Sequence, residues 1–299
     1  MLKSKGNEAM RPIQQMAVAG KWTWWFVGLV FLLQAQASAE DKYKPAGQLF
    51  REGFDDSQLL KREWYDGEKF AIDNQNAKDG GGSLSFHFPA KATTADNTRG
   101  ARRLFGPSET IYLKFYIRLS KGFGWSGRNY HPHLIQFMTT ENGVWHGPAA
   151  SHLTVYVEPV NGKLRLAAQD IQNKDQPHGL TQGELKGGYN AELYNSQEVL
   201  FNDDRWHLVE AMFQLNSLDL KNDKPKADGI VRGWFDGKQV IERTDVVLRS
   251  TDFPKMKFNQ LLVLPYFGPG LLPHKQTLWL DELAVGTKRL VDEEATAKP

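Results

Sequence analysis

The stretch TIYLKFYIRLS, residues 110–120, decides the fold. Ile111, Leu113, Phe115, Ile117 and Leu119 alternate with Tyr112, Lys114, Tyr116 and Arg118, which places an apolar and a polar face on opposite sides of an extended chain. Working outward, strand-like runs recur in SHLTVYVE (151–158), KLRLAAQ (163–169), WHLVEAMFQL (206–215), GIVRGWFD (229–236) and TLWLDELAV (277–285). About a dozen such runs are separated by turn signals, among them Asn142-Gly143, Asn161-Gly162, Asp236-Gly237 and the DGGG string at 79–82. No stretch holds a helical stripe for three turns and no repeat has a fixed period, so the chain reads as all-β. Residues 40–299 are expected to form one antiparallel sandwich domain, with a polar loop at about 171–204 that serves as a lid or as a solvated excursion.

Composition excludes several classes. With 299 residues, 40% hydrophobic and 24% charged, the chain is neither disordered, collagen-like nor a coiled coil. The absence of cysteine removes disulfides, thiol nucleophiles and Cys-ligated metals. The net charge of +2 arises at the N-terminus, where residues 1–39 carry Lys3, Lys5, Arg11 and Lys21 against Glu8 alone. The remainder has 33 basic and 34 acidic side chains, a net of −1, which is not the footprint of a nucleic-acid binder.

The N-terminal residues read as an address. WTWWFVGLVFLL (22–33) follows Lys21 and precedes AQASAE, the pattern of a secretory signal cleaved after Ala39. The run is shorter than the roughly 20 apolar residues of a spanning helix, so stable membrane insertion is not expected after cleavage. Export without cysteine points to a periplasmic or secreted bacterial protein.

The segments GFDDSQLLKREWYDG, GGSLSFHF, TIYLKFYIRLS, DRWHLVEAMFQLN, ADGIVRGWFDGKQVIERTD and LWLDELAVGT, in that order, resemble concanavalin A-like jelly rolls, and among them polysaccharide lyases of the alginate and glucuronan lyase type. The resemblance covers essentially all of residues 40–299. It implies two curved antiparallel sheets, one concave and lined for a sugar chain.

Two chemistries compete for such a groove. Glycoside hydrolysis needs two carboxylates about one sugar ring, and the Glu-x-Asp-x-x-Glu string of jelly-roll glucanases is absent. β-Elimination on a uronate needs a donor that neutralises the carboxylate, a base for the α-proton and an acid for the leaving oxygen. The segment RNYHPHLIQF supplies Arg128, Tyr130, His131, His133 and Gln136, and the next run supplies His152 and Tyr156. The assignment is His133 or His152 as base, Tyr156 as acid or base partner, and Gln136 with Arg128 as carboxylate clamp. Compared with the Gln-Ile-His string of jelly-roll alginate lyases, His133 and Gln136 stand in reverse order and one residue further apart.

Binding asks for stacking aromatics and hydrogen-bonding neighbours. Tyr130, His131, Trp145, Glu210, Arg232 and Trp234 are the candidates for holding sugar, with Glu210 the carboxylate expected to face the groove. No cofactor is required by this chemistry. A structural calcium near the chain ends is implied by the resemblance, with Asp55 and Asp281 as oxygen ligands beside Asp56 and Glu282. The leading reading is a lyase on an anionic polysaccharide; a noncatalytic carbohydrate-binding jelly roll and a hydrolase with acids on separate strands are the alternatives.

Overall fold

The computed structural model describes residues 46–67, 69–127, 133–140, 151–169, 182–184, 187–189, 192–251, 253–266 and 271–290; side chains of 140, 151, 152 and 182–189 are not described. Among the described residues nearly everything ordered is strand, and the single helical turn is the 3₁₀ segment Leu59–Arg62. Two antiparallel sheets carry the fold. The eight-stranded sheet runs in the order Lys238–Val246, Gly229–Phe235, His207–Gln214, Thr110–Leu119, Gln276–Gly286, Ser83–Phe88, Ile72–Asp73, with Gln48–Glu52 also paired to Gln276–Gly286. The seven-stranded sheet runs Glu192–Asn195, Lys163–Gln169, Ser151–Val160, His133–Thr140, Phe258–Tyr266, Ala101–Ser108, Trp64–Tyr65.

The alternation read from the sequence sets which face is buried. Ile111, Leu113, Phe115, Ile117 and Leu119 join Val209, Ala211 and Phe213 of the neighbouring strand in a core that also takes Ile135, Phe137, Val155, Val157, Leu164 and Leu166 from the other sheet. These side chains are essentially inaccessible, and each large one contributes about 1.5–3 kcal/mol by leaving water. Gly233 sits at the close approach of the layers, where an added Cβ would lie 3.1 Å from Leu166 Cδ1.

Two hairpins fix register by backbone geometry. Asn161 and Gly162, both at positive φ (49° and 80°), form the two-residue turn between Ser151–Val160 and Lys163–Gln169. Asp236 and Gly237 do the same between Gly229–Phe235 and Lys238–Val246. The first hairpin sets Glu158 opposite Arg165 and Tyr156 opposite Ala167. A slip of one residue would turn every one of these side chains to the other face.

Candidate functional site on the outer face of the seven-stranded sheet

With Val155 and Val157 in the core, the period-two rule sends Thr154, Tyr156 and Glu158 to the opposite, outer face of the sheet. Gln136 lies directly across from Tyr156 on the adjoining strand. The His133 ring stacks on Tyr156 with centroids 4.1 Å apart and planes 22° from parallel. Its Nδ1 is 3.3 Å from Glu158 Oε1, and the other oxygen of Glu158 accepts a 2.8 Å hydrogen bond from the Arg165 guanidinium. The five residues thus form one contiguous group on three neighbouring strands.

The group has a defined polarity. A carboxylate only accepts, so the His133 Nδ1 beside Glu158 carries a proton and donates it. Arg165 balances the Glu158 charge in a pair whose members are 5% and 2% exposed. His133 is the most open of the three, with 16% of its side chain exposed. The imidazole is therefore the part of this trio that reaches solvent.

No protein-family model matches the chain, and no curated protein matches it. Solved structures do. A glucuronan lyase from the fungus Trichoderma reesei superposes with a TM-score of 0.53 at 17% identity, over 81% of this chain and 96% of its own. The alginate lyase vAL-1 from Chlorella virus gives 0.54 at 14% identity, over 81% and 99%. The marine PL-14 alginate lyase from Aplysia kurodai gives 0.54 at 14% identity, over 81% and 100%. The chain has the fold of the jelly-roll polysaccharide lyases.

Within this lyase-like jelly roll, His133, Gln136 and Tyr156 are neighbours on one sheet face. His152 lies on the same strand as Tyr156, its side chain outside the description; Arg128, Tyr130, His131 and Trp145 lie outside the described residues. Glu210, Arg232 and Trp234 require a correction. They project from the outer face of the eight-stranded sheet, across the sandwich from His133, so the two sets do not line one groove. Alternation tells inward from outward but not which sheet a strand joins. Arg232 there pairs with Glu242 at 2.9 Å. Glu210 accepts hydrogen bonds from the buried Tyr112 hydroxyl and, through both oxygens at 2.9 Å, from Arg289. Arg289 in turn lies 4.7 Å over the Trp234 ring. Burial, followed by the Glu210 carboxylate, pushes the Tyr112 phenol far up.

The groove carboxylate that the sequence reading passed over is Glu158. Its signal was present, since it stands two residues beyond Tyr156 on one strand face and across an Asn-Gly turn from Arg165. His207, also outside the proposed site, is buried and bridges two acids, Nδ1 to Asp236 at 2.8 Å and Nε2 to Asp203 at 2.9 Å. It ties the 203–206 approach to the Asp236-Gly237 turn.

At the chain ends, Asp55 accepts from the Gly81 N–H. Asp281, fully buried, accepts from the N–H groups of Lys78 (2.7 Å), Asp79 (3.3 Å) and Glu282 (2.7 Å). Burial nevertheless pushes its carboxyl up to about 6. Among the described residues no group of three or more His, Asp or Glu is arranged as a metal cluster. No helix among them is long and apolar enough to cross a membrane.

Proposed function

We propose that this protein is an exported lyase that cleaves a uronate-containing polysaccharide by β-elimination on the outer face of the seven-stranded sheet. The observation that carries the reading is the His133–Tyr156 stack, with Gln136 in register beside it and Glu158 holding the imidazole. The Gln136 amide donates to the substrate carboxylate and so acidifies the neighbouring C–H. His133 Nε2 takes that proton, the electron pair forms the C=C bond, and the glycosidic C–O bond breaks as the Tyr156 hydroxyl protonates the departing oxygen. The products are a new chain end and an unsaturated uronate, with no water or cofactor consumed.

Two features favour elimination over hydrolysis. Among the described residues Glu158 is engaged by His133 and Arg165 and by no second carboxylate, the facing pair that hydrolysis uses. The similar folds of glucuronan and alginate lyases point the same way. Calcium belongs to the proposal as a structural ion only. Asp55 and Asp281 come from opposite ends of the sequence to the 78–81 loop, and Asp281 is the buried carboxylate that a cation would relieve.

The test is ultraviolet absorbance of the conjugated unsaturated product, followed with the protein on alginate, polyglucuronate, pectate and glycosaminoglycans. Activity on at least one polymer is expected, falling about 10²–10⁴-fold in His133→Ala with the melting temperature little changed. A flat trace on every polymer would overturn the reaction and leave the binding module.

A further inference from the structure

The outer face of the seven-stranded sheet continues past the His133 group. In register across four strands lie Tyr156, Gln136, Leu262 and Arg102, with Tyr65 beyond. At the far end of this row is a cavity of about 410 Å³ lined by Asp66, Arg99, Gly100, Arg102, Leu262 and Leu264. Three strand spacings of about 4.8 Å separate the Tyr156 strand from the Arg102 strand, so the cavity lies about 14 Å along the row. That is the direction in which a sugar chain lying across the strands would run.

The charges in this cavity do not cancel. Arg102 pairs with Asp66, whereas Arg99 is exposed and has no ion-pair partner among the described residues. One positive charge is left over on a concave wall. The space itself is held open by a glycine, because a Cβ at Gly100 would lie 2.8 Å from Leu264 Cδ1. Leu262 and Leu264 supply an apolar floor, and two guanidiniums stand at the rim. A pyranose carrying a carboxylate fits both, its ring on the leucines and its acid on the arginines.

We infer that this cavity is a distal subsite for a uronate residue of the polymer, with Arg99 as its main carboxylate contact. The inference takes its ligand class from the proposed function, but binding there does not depend on turnover. Asp66 tempers the site by occupying Arg102. The subsite would make the protein favour longer acidic chains over fragments that reach only the His133 group.

The test is native electrophoresis of the full chain through gels containing alginate or polyglucuronate, with a neutral glucan gel as reference. Arg99→Glu should weaken retardation about five- to tenfold, the loss of one charge-assisted contact and its replacement by repulsion. Asp66→Asn should strengthen it, since it removes the one negative charge lining the cavity and Asp66 has φ of 64°, a conformation Asn also adopts readily. Unchanged melting temperatures keep folding out of the comparison. Equal retardation of Arg99→Glu and the parent, or no retardation of the parent in either acidic gel, overturns the subsite. The ultraviolet assay run in parallel separates the two ideas. Product formation with Arg99-independent retention sinks the subsite alone, and Arg99-dependent retention without product sinks the elimination alone.

Discussion

The two outer faces of the sandwich carry the same ingredients and use them differently. On the eight-stranded sheet, Glu210 is closed in by Tyr112 and Arg289, and Arg289 and Leu290 from the end of the described chain pack over Trp234 and Tyr112. On the seven-stranded sheet, Glu158 is held by Arg165 but also holds His133, which stacks on Tyr156 and is partly open. In one case the second partner is another fixed donor. In the other it is the His133 imidazole, which stays partly open. A buried carboxylate beside an arginine is therefore a poor marker of a site by itself; what distinguishes the faces is the partly open, stacked imidazole attached to one of them.

The sharpest way to break this comparison is to neutralise each acid in turn. Glu158→Gln should lower turnover about 10- to 100-fold, because it removes the carboxylate beside His133 Nδ1 and leaves Arg165 without its acid. Glu210→Gln should leave turnover within about twofold. The pH–rate profile should move for the first variant and not the second, and equal losses in both would erase the distinction between the faces.

A smaller effect sharpens the structural role of the Glu210 cluster. Arg289→Ala removes the cation that covers a buried carboxylate and should cost about 2 kcal/mol, less than a fully buried pair would because Arg289 is half-exposed. Denaturant melts read this directly. Product formation should persist at unchanged rates at temperatures where the variant is folded.

The test that bears least on the comparison concerns the sheet that carries Glu210. Asp281 has a folded carboxyl pKa of about 6 against an ordinary 3.8, so the folded state binds more protons than the unfolded state between those values. Its contribution is full below about pH 4 and is lost as pH rises through about 6, a decline of about 3 kcal/mol. Melts in chelator across this range should show the decline, and Asp281→Asn should flatten it. If calcium is bound at Asp55 and Asp281, adding it to the parent should flatten the decline too.

Much of the fold was legible before any coordinates. The run around Thr110–Leu119 and the strands at 163–169, 207–214, 229–235 and 276–286 fall within a residue or two of their sequence-read limits, because each is an apolar-rich run bounded by turn residues. The Asn161-Gly162 and Asp236-Gly237 turns were legible for the same local reason, positive φ. The stretch at about 171–204 was less so: part of it, Glu192–Asn195, joins the edge of the seven-stranded sheet beside Lys163–Gln169. Such a short edge strand is specified by its neighbour more than by its own pattern.

The candidate site divides along the same line. Sequence alone determined that Tyr156 points away from Val155 and Val157 and that Glu158 shares the Tyr156 face. These follow from the geometry of one extended chain. Only the tertiary structure decided that Glu210 and Trp234 belong to the other sheet, that Gln136 lies beside Tyr156, that Glu158 is the carboxylate beside His133, and that Arg102 continues the row. Those relations depend on which strands become neighbours. Strand pairing is settled by the collective burial of two sheets against one core, a property no single segment carries in its own pattern.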